Sequence, residues 1–139
     1  METLIANLST GFGAVLAFEP LSLFGMSFSL PMNLAYCFIG ALIGTLIGVL
    51  PGLGPVATIA MLLPLTIGLQ PTAAIIMLAG IYYGAQYGGS TTAILVNLPG
   101  EATSVVTSVD GHKMAQQGRG GVALFFAATG SFFAGCVGT

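Results

Sequence analysis

Charge is what this sequence has least of. Only 4% of its residues are Asp, Glu, Lys or Arg, against about a quarter in ordinary soluble domains. Between Glu19 and Glu101 there is no Asp, Glu, Lys, Arg or His at all. A surface facing hydrocarbon tolerates such a gap, and one facing water does not. The whole supply of basic residues is Lys113 and Arg119. No patch can therefore neutralise several phosphates, which excludes nucleic acid as a partner.

Cysteine is equally scarce. Cys37 and Cys136 both sit in apolar runs, with no C-x-x-C spacing and no adjacent His. Neither a metal site nor a disulfide framework is expected, and the thiols read as small hydrophobes. His112 is the single histidine and lies in a polar stretch. No base is placed to activate a serine, and Gly88-Gly89-Ser90 is not a nucleophile elbow, so an enzyme is not expected. The pair Gly52 and Gly54 lacks the Lys-Ser/Thr or the acidic ribose reader of a nucleotide site. The first residues carry no basic n-region and no small-x-small cleavage site follows, so the first apolar segment reads as retained.

Apolar residues make up 55% of the chain, and the mean hydropathy is +1.00. These features predict an all-α integral membrane protein. The expected form is a polytopic helix bundle with discontinuous or re-entrant helices, with room for about four or five crossings. Residues 3–18 set Leu4, Ile5, Leu8, Phe12, Val15 and Leu16 at helical spacing, giving an interfacial or bundle-edge helix that ends at Glu19-Pro20. Leu21 to Pro31 reads either as a membrane-surface connection or as a broken helix. Met32 to Leu50 is the strongest span. Pro55 to Leu69 and Pro71 to Tyr87 each open on a proline that a first helical turn accepts, and Pro64 kinks or divides the former. Ser90 to Leu98 reads as a short piece that cannot span. The polar stretch 101–120 reads as a loop, which the positive-inside rule places on the cytoplasmic side.

Glycine carries the patterning. Gly40, Gly44, Gly48 and Gly52 repeat every four residues, as do Gly80, Gly84 and Gly88. That spacing keeps each set on one helix face, where small residues let membrane helices touch. Two interruptions stand out against this background, Leu50-Pro51-Gly52-Leu53-Gly54-Pro55 and Tyr87-Gly88-Gly89-Ser90-Thr91-Thr92. Each would free backbone groups that hydrocarbon cannot satisfy, so each needs protein or water around it. Two broken elements in one bundle point to a transport site. A helix starting near Ser90 would offer unpaired N–H groups and about half a positive charge to an anion. Gly52, Gly54, Pro55, Gly88 and Gly89 are candidates for close backbone approach. Ser90, Thr91, Thr92, Asn97 and Tyr83 are candidate polar contacts. Glu101 and Asp110 read as helix caps or water-facing residues, and are candidates for cation or proton coupling. Leu98-Pro99-Gly100 echoes Leu50-Pro51-Gly52 as a second helix-breaking unit.

The run Gly44-Thr45-Leu46-Ile47-Gly48-Val49-Leu50-Pro51-Gly52-Leu53-Gly54-Pro55 is one of three long and unusual stretches. The others are Gly80 to Leu95, reading GIYYGAQYGGSTTAIL, and Asn97-Leu98-Pro99-Gly100-Glu101. Together with Thr107, Asp110-Gly111, Met114-Ala115 and Gly118 they resemble the TctA family, the large membrane subunit of tripartite tricarboxylate transporters. The resemblance begins near Asn33, and Ala17 to Pro31 fits it less well. It implies the N-terminal part of a longer permease, multi-pass in a bacterial inner membrane and working as a symporter driven by Na⁺ or H⁺. The implied partners are a carboxylate such as citrate, membrane lipid, a small membrane subunit and a periplasmic solute-binding protein. From the residues alone, such a solute would meet no Lys or Arg within the apolar segments, so helix ends, hydroxyls or a co-transported cation must offset its charge. The rival reading is a truncated membrane piece that only packs against partner helices through its glycine faces.

Overall fold

The computed structural model describes residues 2–16, 18–23 and 26–138. Its order is α1 (Glu2–Val15), a hairpin of β1 (Phe18–Leu23) and β2 (Met26–Pro31), α2 (Met32–Gly48), α3 (Pro55–Leu62), α4 (Pro71–Val96), α5 (Ser104–Met114) and α6 (Gly120–Gly138). A 3₁₀ turn at Leu63–Thr66 extends α3, and a π turn at Ala115–Arg119 joins α5 to α6.

The fold is helical apart from the hairpin, which occupies the stretch that the sequence left open. Its strands pair antiparallel from Phe18↔Pro31 to Leu23↔Met26. The first helix therefore stops at Val15, short of the expected Glu19-Pro20. Proline marks the starts of the next helices. Pro31 is the residue before α2, and Pro55 and Pro71 open α3 and α4, where a missing N–H leaves no gap in the ladder. Pro64 tightens the end of α3 into the 3₁₀ turn, and Gly68, with φ of 100°, reverses the chain into α4.

The centre of the fold is a seam between α2 and α4. A Cβ added at Gly40, Gly44 or Gly48 would collide with the carbonyl oxygen of Met77, Ile81 or Ala85, respectively. Reciprocally, a Cβ at Gly80 or Gly84 would collide with that of Cys37 or Ala41, and one at Gly88 would lie 2.6 Å from that of Thr45. Each Cα thus lies against a partner carbonyl, a geometry that recurs at tight helix interfaces. The pairs advance together along both helices, so α2 and α4 run parallel. Parallel neighbours need a return path. Here α3 and its 3₁₀ turn supply it, carrying the chain from the end of α2 back to Gln70, which shares a recess with Met32, Asn33 and Tyr36 at the start of α2.

Burial is reversed relative to a water-soluble domain. The buried positions are mostly small, among them the six seam glycines, Ala73, Ala85, Ala93, Thr58 and Thr92, with Ile81 and Ile94 as the largest. Large apolar side chains point outward, for example Leu46, Val56, Ile67, Phe132 and Val137. An exposed apolar surface of this extent belongs against lipid or further protein. Among the described residues, one helical stretch, Ser104–Gly138, is long and apolar enough to cross a membrane. Gly118, with φ of 77°, kinks it, so α6 forms its long straight part. Met32–Gly48 and Pro55–Thr66 are shorter apolar helices, although the sequence marks the first as the strongest span.

Two expectations are corrected. The chain is not broken at Tyr87-Gly88-Gly89-Ser90. The helix α4 runs through it for 26 residues, and Ser90 to Leu98 is no separate piece. Gly88 and Gly89 are both buried, and at Gly88 the α2 backbone lies so close that glycine is a packing requirement. The polar stretch 101–120, expected as a loop, is largely helical. Ser104, Ser108 and Gly111 form the buried stripe with which α5 lies on α4.

Candidate functional site

Both Leu-Pro-Gly units break helices, and the fold brings the two breaks together. The first follows α2. Gly52 takes φ of 88°, Leu53 N–H donates to the Leu50 carbonyl at 3.2 Å, and Gly54 precedes α3. The second follows α4, where Asn97 terminates the helix in the left-handed region at φ of 59°. Asparagine tolerates that conformation better than other side chains except glycine.

The two turns meet beside Gly89. A Cβ on Gly54 would stand 3.6 Å from the Gly100 carbonyl oxygen and 3.7 Å from the Glu101 Cβ. One on Gly100 would stand 3.5 Å from the Gly89 Cα and 3.7 Å from the Leu53 carbonyl oxygen. Gly89 is therefore a bare floor in α4 under the second turn, which itself lies against the first. Gly54, just before α3, and Glu101, just before α5, stand side by side in it.

The two helix starts differ in what stands beside them. At α5, the Ser104 hydroxyl donates to the Glu101 carbonyl at 2.8 Å and lies 3.2 Å from the Glu101 N–H, which donates to it. The Thr103 hydroxyl donates to Glu101 Oε1 at 2.5 Å. A carboxylate thus lies beside that start, although no side chain caps its backbone N–H groups. At α3, Gly54 has no side chain to cap the helix and Pro55 has no N–H, and the Thr58 N–H and hydroxyl both donate to the Gly54 carbonyl at 3.1 Å. The first-turn N–H groups of Val56 and Ala57 have no in-helix acceptor, the general condition of a helix start.

The sequence candidates fall into four groups. Gly54, Pro55, Gly89 and Glu101 converge at the junction, with Gly52 and Asn97 shaping its two turns. Gly88 belongs to the α2 seam. Ser90, Thr91 and Thr92 do not cap a helix start. Their hydroxyls donate back to the carbonyls of Gln86, Tyr87 and Gly88 at 3.0–3.1 Å. Tyr83 and Asp110 lie elsewhere. Tyr83 is exposed and lines a groove of about 380 Å³ between α4 and α6 with Gln86 and Ser131, and Asp110 is exposed on α5. Sequence reasoning did not single out Ser104, whose spacing of three from Glu101 is the available signal. His112, which the sequence places in a polar stretch, has a half-buried ring with both nitrogens engaged.

Residues 34–139 match the family model described as the tripartite tricarboxylate transporter TctA family. The chain belongs to this family. The match starts just after Pro31, leaving out the hairpin, where the sequence resemblance also weakens. The chain is 59% identical over 139 residues to a protein of Agrobacterium vitis described as an uncharacterized 52.8 kDa protein in the TAR-I ttuC' 3' region. That alignment covers 100% of this chain and 25% of the relative, so the chain spans about a quarter of the relative's length. No solved structure matches it.

Proposed function

We propose that this TctA chain forms the N-terminal part of the permease subunit of a carboxylate transporter, ion-driven and supplied by a solute-binding protein, and that the Gly54–Gly89–Gly100 junction is part of its solute path. The supporting observation is the convergence of two helix breaks over a glycine floor in a bundle whose outer surface is apolar. Irregular backbone at membrane depth persists where it lines a cavity or is covered by protein, and paired broken helices mark binding sites in transporters.

In this reading the two helix starts have different tasks. The uncapped start of α3 offers backbone N–H groups to a solute carboxylate. Glu101, an acid at the same junction, would repel that carboxylate, and a coupling Na⁺ or H⁺ on Glu101 removes the repulsion. Solute and ion then favour each other's binding, as symport requires. The membrane is the bacterial inner membrane, crossed several times, and the partners are the small membrane subunit and the periplasmic binding protein.

The test is radiolabelled tricarboxylate uptake by cells expressing a family member of the relative's length that carries this sequence. Gly89→Val projects a side chain into the junction and is expected to abolish uptake, while Gly13→Val, on exposed α1 with nothing within 4 Å, is expected to leave it intact. Glu101→Gln is expected to flatten the dependence of uptake on the ion gradient. Full uptake by Gly89→Val at unchanged membrane levels would remove the junction from the path.

A further inference from the structure

The second turn of the junction, residues 97–103, has no regular structure of its own beyond its caps, yet it must stay over Gly89. Besides its own bonds to Ser104 and Thr103, it depends on contacts that hold α5 at its far end. Ile94 is in the last turn of α4, where a carbonyl has lost its in-helix donor. That carbonyl lies 3.0 Å from Nδ1 of His112, and Nε2 of the same ring lies 3.1 Å from the Gln116 Nε2. A carbonyl can only accept, so Nδ1 carries the hydrogen. The Gln116 amide nitrogen can only donate, so Nε2 is the acceptor. Both contacts are satisfied together by the neutral Nδ1–H tautomer.

The neighbouring residue completes the contact. Gly111 leaves room for Ile94, whose side chain is 1% exposed, and a Cβ at Gly111 would come within 2.8 Å of the Ile94 Cγ1. Residues 111 and 112 thus clasp one residue of α4 from two sides, by shape and by hydrogen bond. At its other end α5 starts on Ser104, which is bonded to Glu101. The helix is a strut between two fixed points, Ile94 and the junction turn.

We infer that His112 is a positioning residue for the solute path: its Nδ1–H bond to the Ile94 carbonyl anchors α5 on α4 and so holds Gly100 and Glu101 over Gly89. It touches neither solute nor ion. The inference rests on the proposed function for its consequence in transport, and on geometry alone for the anchoring.

The experiment has two arms. Hydrogen–deuterium exchange on the detergent-purified chain compares the wild type with His112→Leu and His112→Asn. Asparagine can place an amide N–H where Nδ1 stands. Leucine is expected to speed exchange across residues 97–104 about fivefold, the equivalent of one hydrogen bond, with exchange in α2 unchanged and asparagine restoring most of the protection. Unaltered exchange at 97–104, or an equal rise in α2, would overturn the anchoring role. In the second arm, uptake by the full-length permease is expected to show a raised KM for solute in His112→Leu, with the maximal rate little changed and asparagine rescuing KM. An unchanged KM alongside faster exchange would sink the junction as a solute site while leaving the anchor standing. A lost maximal rate with no KM change would count against positioning.

Discussion

Gly84 of α4 lies so close to the Ala41 carbonyl of α2 that no side chain fits between them. Five further glycines repeat the relation along the seam. A larger residue there must separate the two helices, and overpacking costs about 1–3 kcal/mol per site. Gly84→Val and Gly44→Val should therefore each lower the thermal unfolding temperature of the detergent-purified protein. Gly130 provides the contrast, since it sits in α6 with nothing within 4 Å. Gly130→Ala should leave that temperature unchanged or raise it, because alanine is favoured over glycine by about 0.5–1 kcal/mol within a helix.

Asn97 ends α4 with φ of 59°, where a β-branched residue is strained by about 1–2 kcal/mol. Asn97→Val should lower stability by that order. Asn97→Gly should be tolerated, since glycine is the commonest residue at such a helix end. Denaturant titration of both variants, followed by circular dichroism, separates this backbone effect from loss of the exposed amide. If valine and glycine behave alike, the left-handed cap is not what stops the helix.

The seam was legible in the sequence because glycine at every fourth position has few other uses in an apolar helix. Which helix each stripe faces was not legible, nor was the parallel direction, because both depend on how far the chain returns through α3. The false break at Gly88-Gly89-Ser90 has a physical origin. Helix propensity penalises adjacent glycines, but that penalty is measured where a glycine has no neighbour. At Gly88 the α2 backbone occupies the missing side chain's place, and at Gly89 the Gly100 turn lies alongside. The Leu98-Pro99-Gly100 unit, noticed as an echo of Leu50-Pro51-Gly52, was the true second break. The helix α5 was hidden by its polarity, although Ser104, Ser108 and Gly111 already carry helical spacing.

The hydroxyls after Gly89 supply a further check. Ser90 and Thr91 donate to carbonyls one turn back, at 3.1 and 3.0 Å, bonds that stabilise a helix little or bend it slightly. Ser90→Ala and Thr91→Ala should each change stability by less than about 0.5 kcal/mol. A helix start at Ser90 would make the serine a cap worth about 1 kcal/mol, so a loss of that size would revive the discontinuous helix that the structure replaces.

The parallel course of α2 and α4 makes a claim about sides. The starts of both helices line one recess, through Met32, Asn33 and Tyr36 on one hand and Gln70 and Ala73 on the other. After replacement of Cys37 and Cys136, a cysteine at Asn33 should be joined to one at Gln70 by a short thiol-reactive linker. The same cysteine at Asn33 should not reach one at Val96, because α4 rises about 1.5 Å per residue and carries Val96 to the opposite end. Were the helices antiparallel, as a simple hairpin would make them, the outcome would invert: Asn33 would join to Val96 and miss Gln70. A membrane-impermeant linker added to right-side-out vesicles would also modify both helix starts or neither. Modification of one alone would mean that α3 does not return the chain to the side it left, and the two glycine stripes could not face each other in the register they now share.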